Sequence, residues 1–506
     1  MRTVALYASL LSLLACTCAA AGEHGQVGHR HIKRLARKAP LLAAFSGHGA
    51  LPTLQHILNI DVTRGSMLPI KNIQGDILVG MKKNKERFVF FHINDASRFK
   101  DVLKTYAPAN ITSVATLVSP APLQPLAFVN VAFSRTGLST LGVKDNLGDN
   151  AFNAGQFADA EGLGDDTGVW ESAFKGTHIH GVFLIGSDQD EFLQTYTHDL
   201  NALFGSSLSV EYTLDAAARP GPEAGHEHFG FLDGISNPAV TGFDSPSPGQ
   251  SLVPAGVILT GHTGDTTPRP RWAKDGSFMV FRKLKQLVPE FRKWTLDNAI
   301  QNKAGNLTVE EGAEYLGARM MGRWKSGAPI DIASEDDDPA LGADPHRNNN
   351  FNYAHPGSSL ASDQTHCPFS AHTRKLNPRA DQAGTDTPNH AIRAGTPYGA
   401  ELSDVEAASN TSQIDRGLAF VMYQSNIGNG FQFQQLAWAN TENFPPFKNV
   451  TPGIEPIIGR GSPRVATGFD PHDQAKTYTM PDFVVSNGGE YFFVPSISAI
   501  SDIIAA

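Results

Sequence analysis

Three short stretches of the 506-residue sequence bring together side chains that could share one reaction. The first, Gly230-Phe231-Leu232-Asp233-Gly234-Ile235-Ser236-Asn237-Pro238, sets a carboxylate between an apolar pair and a glycine. A carboxylate held in this way can serve as a general base, although an Asp-Gly pair is most often an ordinary turn. The second, from His366 to Arg379, places His372 among small residues and close to Arg374, Lys375 and Arg379. Haem iron needs a neutral nitrogen donor on one face, and the propionates at its rim need cations or backbone donors, so this grouping suits that chemistry. The third, His390-Ala391-Ile392-Arg393-Ala394-Gly395-Thr396-Pro397-Tyr398-Gly399, carries a guanidinium 21 positions after His372. Taken singly, His372 reads as a structural histidine and Arg393 as an ion-pair arginine; the case rests on the three together.

These stretches need elements to position them. Ile77-Leu78-Val79, Phe88 to Ile93, Phe128 to Phe133, His178 to Ile185 and Leu208 to Tyr212 read as strands. Helical spacing is found near Ser97 to Tyr106 and from Gln189 to Phe204, so the first half reads as an α+β sheet with helices on one side. After the Pro/Gly-rich passage 219–225 a second round begins. It has strands at Phe278 to Arg282, Leu418 to Tyr423 and Tyr491 to Val494, a helix at Glu310 to Trp324, and a polar loop over 331–365. Two similar α+β halves are conceivable, with no sequence repeat to prove it. The acidic run Glu335-Asp336-Asp337-Asp338 could bind a divalent cation, but reads first as a solvated loop.

The N-terminus carries Arg2, an apolar stretch from Val4 to Ala15, and small residues at Ala19-Ala20-Ala21. Residues 1–20 therefore read as a secretory signal, and the basic stretch over 21–65 as a pro-segment. No later stretch has the roughly 18 apolar residues of a spanning helix, so an exported protein without a membrane anchor is expected. Residues 1–65 hold seven Lys/Arg and two Asp/Glu, which leaves 34 basic against 48 acidic residues in the remainder. So acidic a body argues against nucleic acid as a partner. Cys16 and Cys18 leave with the signal, so the mature chain keeps Cys367 and no internal disulfide. Asn110, Asn306, Asn410 and Asn449 begin Asn-X-Ser/Thr triplets, which suit glycosylation in the extracellular space.

In this order, Gly-Phe-Leu-Asp-Gly, Ala-His-Thr-Arg-Lys and Arg-Ala-Gly-Thr-Pro-Tyr-Gly resemble the three signatures of the fungal dye-decolourising haem peroxidases. Ile73-Gln74-Gly75-Asp76-Ile77-Leu78 is similar to that family's first strand, and the likeness runs from about residue 70 to 500. The resemblance implies two ferredoxin-like domains, at 66–220 and 221–506, with one haem b in the second. It makes His372 the axial iron ligand, with Asp233 and Arg393 on the other face to activate hydrogen peroxide. Glu455 matches an acidic partner of the haem region, which could accept the second ring N–H of His372; a surface carboxylate is the alternative. His390 and Arg379 match the haem surroundings, while Leu418 and Phe420 match the lining of the channel, although core packing explains these two equally well.

With a carboxylate as base, reference pKa about 3.9 against about 6.5 for histidine, activity with an acidic optimum is expected. Bulky dyes and phenols are too large for a buried haem face, so the resemblance implies surface electron-transfer sites at Trp438 and Tyr398. A packed indole and a half-buried phenol are the competing readings. A monomer or a homodimer is expected. A haem carrier would share His372 but need neither Asp233 nor Arg393, and a secreted hydrolase built on Asp233 lacks an evident partner carboxylate.

Overall fold

Phe88-Val89-Phe90-Phe91 is apolar at every position, the pattern of a strand covered on both faces. In the computed structural model, which describes residues 42–44, 68–119, 123–382 and 384–506, that run lies within β1, Lys85–Ile93. The expected signal at 1–20 lies outside the described residues. So does the expected pro-segment 21–65, apart from Leu42–Ala44, a strand antiparallel to Leu123–Pro125.

Three more strands follow: β2 (Ala127–Phe133), β3 (Gly181–Ser187) and β4 (Leu208–Ala217). With β1 they form an antiparallel sheet in the order β4-β1-β3-β2. Helices α1 (Ala96–Asn110) and α2 (Asp190–Phe204) make the two crossovers. The Asp95 side chain caps α1 by accepting from the Arg98 amide. Phe99, Leu103, Leu200 and Phe204 on these helices pack with Val89, Phe91 and Phe183, one face of the sheet. The second half repeats the arrangement with β5 (Ser277–Gln286), α3 (Val288–Asp297), α4 (Val309–Met321) and the short α5 (His372–Leu376). Its remaining strands are β6 (Ile392–Arg393), β7 (Thr396–Tyr398), β8 (Gly417–Gln424) and β9 (Val484–Val494). Both β6 and β7 lie along one edge of β8, β5 along its other edge, and β9 beyond β5. Each half therefore has the ferredoxin-like strand order.

The halves are joined edge to edge, through Tyr398 opposite Ala216 and Phe493 opposite Phe133, so the strands close into one barrel. Closure leaves no long unpaired edge between the halves. The interior draws on both halves: the rings of Phe88 and Phe90 lie 5.2 and 4.8 Å from that of Phe281, and Phe90 lies 6.2 Å from Phe492. Full burial of each such ring contributes about 1.5–3 kcal/mol.

One expected element differs. Ile77-Leu78-Val79, read as a strand, belongs to a short helix, Gly75–Val79. Local polar anchors decide this: the Gln74 side chain donates to Val131 O and Pro495 O, and Asn130 Oδ1 accepts the Asp76 amide. A three-residue apolar run is equally well buried either way. The acidic run 335–338 is a loop whose last member, Asp338, caps the helix Pro339–Ala343. Among the described residues no group of His, Cys, Asp and Glu has the arrangement of a metal site, and no helix is long and apolar enough to cross a membrane.

Candidate functional site

Alternation along β8 sends Ala419, Val421 and Tyr423 into the barrel and leaves Leu418, Phe420 and Met422 on the other face. On that face a large cavity opens beneath the segments that follow β5, and all three even-numbered residues line it. Cross-strand register puts Arg282, Leu284 and Arg393 on the same face, opposite Phe420, Leu418 and Met422. His372 and Asp233 line the cavity as well. The three sequence stretches thus meet in one place.

Asp233 is held by a loop built for sharp turns. Gly230 has φ +97°, a conformation that side chains avoid. Around it the buried Glu227 carboxylate accepts the amides of Phe229 and Phe231, each at 2.9 Å, and the Gln286 side chain donates to it from β5. Burial pushes the Glu227 carboxyl up, those three donors oppose the shift, and the charge of Asp233 adds to it. Asp233 N donates to Gly225 O at 3.0 Å. Its Oδ1 accepts from Arg393 Nη1 at 3.2 Å and from the Gly234 amide. Both side chains are about one third exposed, 38% for Asp233 and 33% for Arg393, so small molecules can reach the pair.

His372 opens α5. Its Nδ1 lies 3.0 Å from Oε1 of Glu455, which is fully buried. The Glu455 carboxylate also accepts the amides of Ile457, Ile458 and Gly459. At Gly459 a Cβ would lie 2.5 Å from Glu455 O and 2.8 Å from Ala439 O, so glycine is required by close approach. Burial raises the Glu455 carboxyl, but the charge and hydrogen bond of His372, with the amides of Ile457 and Ile458, outweigh it and hold the group below its ordinary range. An acceptor at Nδ1 fixes the proton there and leaves Nε2 with its lone pair free. Nε2 has no protein partner among the described residues. A group with a lowered folded-state pKa contributes stability above its unfolded pKa and loses it as pH falls through the folded value. Glu455→Gln is therefore expected to cost about 1–3 kcal/mol near neutrality, with a deficit that shrinks in acid. Denaturant unfolding across pH checks this; a deficit independent of pH would contradict it.

The cavity is short of negative charge. Arg323 is buried and Arg379 half-buried; both line it, and neither forms an ion pair among the described residues. Burial and the nearby Arg379 push the Arg323 guanidinium down to about 10. Arg379 gives its Nη1 to the carbonyls of Gly249, Asn349 and Phe351. Its Nε is buried without a partner among the described residues, as are Nε2 of His390 and Oδ1 of Asn377 on the same wall. Uncompensated buried cations and orphaned polar atoms are costly unless a ligand satisfies them. A flat apolar ligand bearing carboxylates and accepting one imidazole nitrogen fits all three features. A haem is such a group.

Sequence reasoning named His372, Asp233, Arg393, Arg379, His390, Leu418 and Phe420, and all seven line the cavity. Glu455, placed among haem-region residues, stands behind His372 at full burial rather than on the surface. The two expected surface sites need correction. Trp438 is 2% exposed and Tyr398 3% exposed, so neither ring lies at the surface. Trp438 sits in a wide helical turn, Gln434–Ala439, stacked on Phe444 at 5.3 Å and edge-on to Phe433 at 5.6 Å. It nonetheless lines the cavity. Tyr398 is covered because β7 bridges the two halves of the barrel; its hydroxyl donates to Asp415 Oδ1 at 3.1 Å. Burial raises its phenol, and the Asp415 carboxylate adds to the shift. Arg323, Glu227 and Asn237 were not foreseen, and Lys375, read as a candidate rim cation, does not line the cavity. Lys375 Nζ donates to Trp438 O at 3.2 Å and Thr441 O at 2.7 Å, and burial pushes it down to about 7 against the pull of Glu455.

Comparison with known proteins agrees with this geometry. The model of the DyP dimeric alpha+beta barrel domain matches residues 72–220, and that of the Dyp-type peroxidase C-terminal region matches residues 226–450. A dye-decolorizing peroxidase of Auricularia auricula-judae is 50% identical over 480 residues, covering 93% of this chain and 92% of the relative. Peroxidase 2 of Mycetinis scorodonius is 51% identical over 470 residues, covering 89% and 90%. A solved dye-decolorizing peroxidase in complex with 2,6-dimethoxyphenol matches with a TM-score of 0.85 at 61% identity, over 87% of this chain and 100% of that one. These relatives and the paired Asp233 and Arg393 favour catalysis over haem carriage. The chain belongs to the dye-decolourising peroxidase family of haem enzymes and is a peroxidase.

Proposed function

We propose that the cavity would hold one haem b, with Nε2 of His372 binding its iron and with Asp233 and Arg393 acting on peroxide. The protein then reduces hydrogen peroxide and oxidises bulky dyes, phenols and related aromatic donors by one-electron steps. One observation carries the reading: a carboxylate-backed imidazole and an Asp–Arg ion pair line the same cation-rich cavity. A relative's complex with 2,6-dimethoxyphenol supports a phenolic donor.

Bound haem supplies an iron that takes two oxidising equivalents from peroxide and returns them one electron at a time. Asp233 Oδ accepts the proton of the nearer peroxide oxygen and hands it to the farther one, so that water departs instead of hydroxide. Arg393 stabilises the negative charge that grows on the oxygens as their bond breaks, and its 3.2 Å contact with Oδ1 keeps the carboxylate in place. Glu455 keeps the His372 proton on Nδ1. Leu418 and Phe420 add apolar side chains to the lining of the same cavity, which is too enclosed for a bulky dye. Large donors then need a route for electrons, and Trp438 supplies one, lining the cavity and packing edge-on against Phe433, which is 39% exposed. Tyr398 is a second buried relay.

Trp438→Ser together with Tyr398→Phe is expected to lower bulky-dye turnover at least about tenfold and to spare small donors. Steady-state kinetics with both donor sizes checks it; unchanged dye turnover would remove the relay. We further propose secretion after removal of residues 1–20 and 21–65, domains at 66–220 and 221–506, and a monomer or homodimer. Glycans suit the exposed Asn306, Asn410 and Asn449 better than Asn110, whose amide donates to Tyr106 O. The reading as a whole is tested by adding peroxide to the purified holoprotein. A Soret band that shifts on addition and returns when an aromatic donor is supplied supports it, whereas bleaching without donor oxidation overturns it.

A further inference from the structure

We propose that Asn237 is the positioning residue that aims the Arg393 guanidinium at the Asp233 carboxylate, an inference that rests on reading these two residues as the peroxide-activating pair. Arg393 ends β6, a two-residue strand at the edge of the sheet. The neighbouring Ala394 amide donates to Val421 O on β8, so alternation turns the Arg393 amide and carbonyl away from β8. There a further strand would ordinarily pair with them. Asn237 takes its place: Oδ1 accepts the Arg393 amide at 3.1 Å, and Nδ2 donates to the Arg393 carbonyl at 2.9 Å. A primary amide carries one acceptor and two donors in a single plane, so it can close both bonds as a one-residue strand.

Asn237 is itself fixed. Gln250 Nε2 donates to its carbonyl at 2.8 Å, and the preceding Ser236 hydroxyl is held by Arg323 Nη2 at 3.0 Å and Asn349 Oδ1 at 3.1 Å. Four residues earlier in the same segment stands Asp233. One braced loop therefore carries the base and grips the backbone of its cationic partner across 156 residues of sequence. Because a strand's backbone orientation sets the direction of its side chains, the grip fixes where the guanidinium points.

Asn237→Ala in the holoprotein tests this. Amide hydrogen exchange over 392–394 is expected to quicken at least about tenfold. The second-order rate with peroxide is expected to fall by about 10–100-fold, while the KM for a small aromatic donor and the ferric absorption spectrum stay as in the wild type. If this variant fails to fold, Asn237→Asp keeps the acceptor and loses the donor, and is expected to give intermediate exchange and an intermediate rate. Faster exchange with a peroxide rate within about twofold of wild type would overturn the proposal, as would unchanged exchange. Asp233→Asn measured in parallel separates the outcomes: if it too leaves the peroxide rate untouched, the assignment of the pair fails, not the role of Asn237.

Discussion

Asp233→Asn is expected to slow the reaction with hydrogen peroxide by about 10²–10⁴-fold while the ferric haem spectrum stays in place. The substitution keeps the size of the side chain. An amide oxygen can still accept the bonds that Oδ1 takes from Arg393 Nη1 and the Gly234 amide, so the loop anchored by Glu227 has no reason to move. What disappears is the ability to take a proton and give it back. Rapid mixing with peroxide, followed at the Soret band, reads the rate directly, and a loss of less than about tenfold would show that another group moves the proton. Glu227 is the nearest rival by burial and charge, but both its oxygens are already committed to Phe229, Phe231 and Gln286.

The second large effect concerns the metal side. Glu455 has no purpose as a lone buried carboxylate; its three amide donors and the His372 ring explain why it is ionised at full burial. A histidine so oriented is a better iron ligand than a free imidazole, because the acceptor at Nδ1 increases electron density at Nε2. Removing His372 should therefore forfeit both the bond to iron and the reason for the Glu455 arrangement. The buried carboxylate would be left without the ring N–H that it accepts, which costs several kcal/mol and should loosen α5 as well.

Much of this was legible in the sequence, for physical reasons that differ by element. Phe88 to Phe91 and Leu418 to Tyr423 announce buried strands because a short continuous apolar run is a local signal. Asp233, His372 and Arg393 could be found only jointly, because their three stretches in this order resemble the signatures of dye-decolourising peroxidases; singly they read as a turn, a structural histidine and an ion-pair arginine. The helix Gly75–Val79 was not legible, since Gln74 and Asn130 settle it from 56 residues apart in sequence. Neither was the joining of two sheets into one barrel, which depends on single pairs such as Tyr398 with Ala216. That same joint buries Tyr398, and the stacking of Phe444 buries Trp438. Asn237 was printed inside the first motif, yet its function is a contact with Arg393 that only the folded chain creates.

Peroxidase chemistry in this cavity requires a bond between His372 Nε2 and iron. The most direct measurement is the absorption and electron paramagnetic resonance spectrum of ferric wild type and His372→Ala, each purified and supplied with haem, before and after added imidazole. The wild type should show a histidine-ligated ferric centre. The variant should lose haem or change its axial signature, and imidazole entering the vacated space should restore it. A variant that keeps the wild-type spectrum unaided would place the iron ligand elsewhere and contradict the assignment.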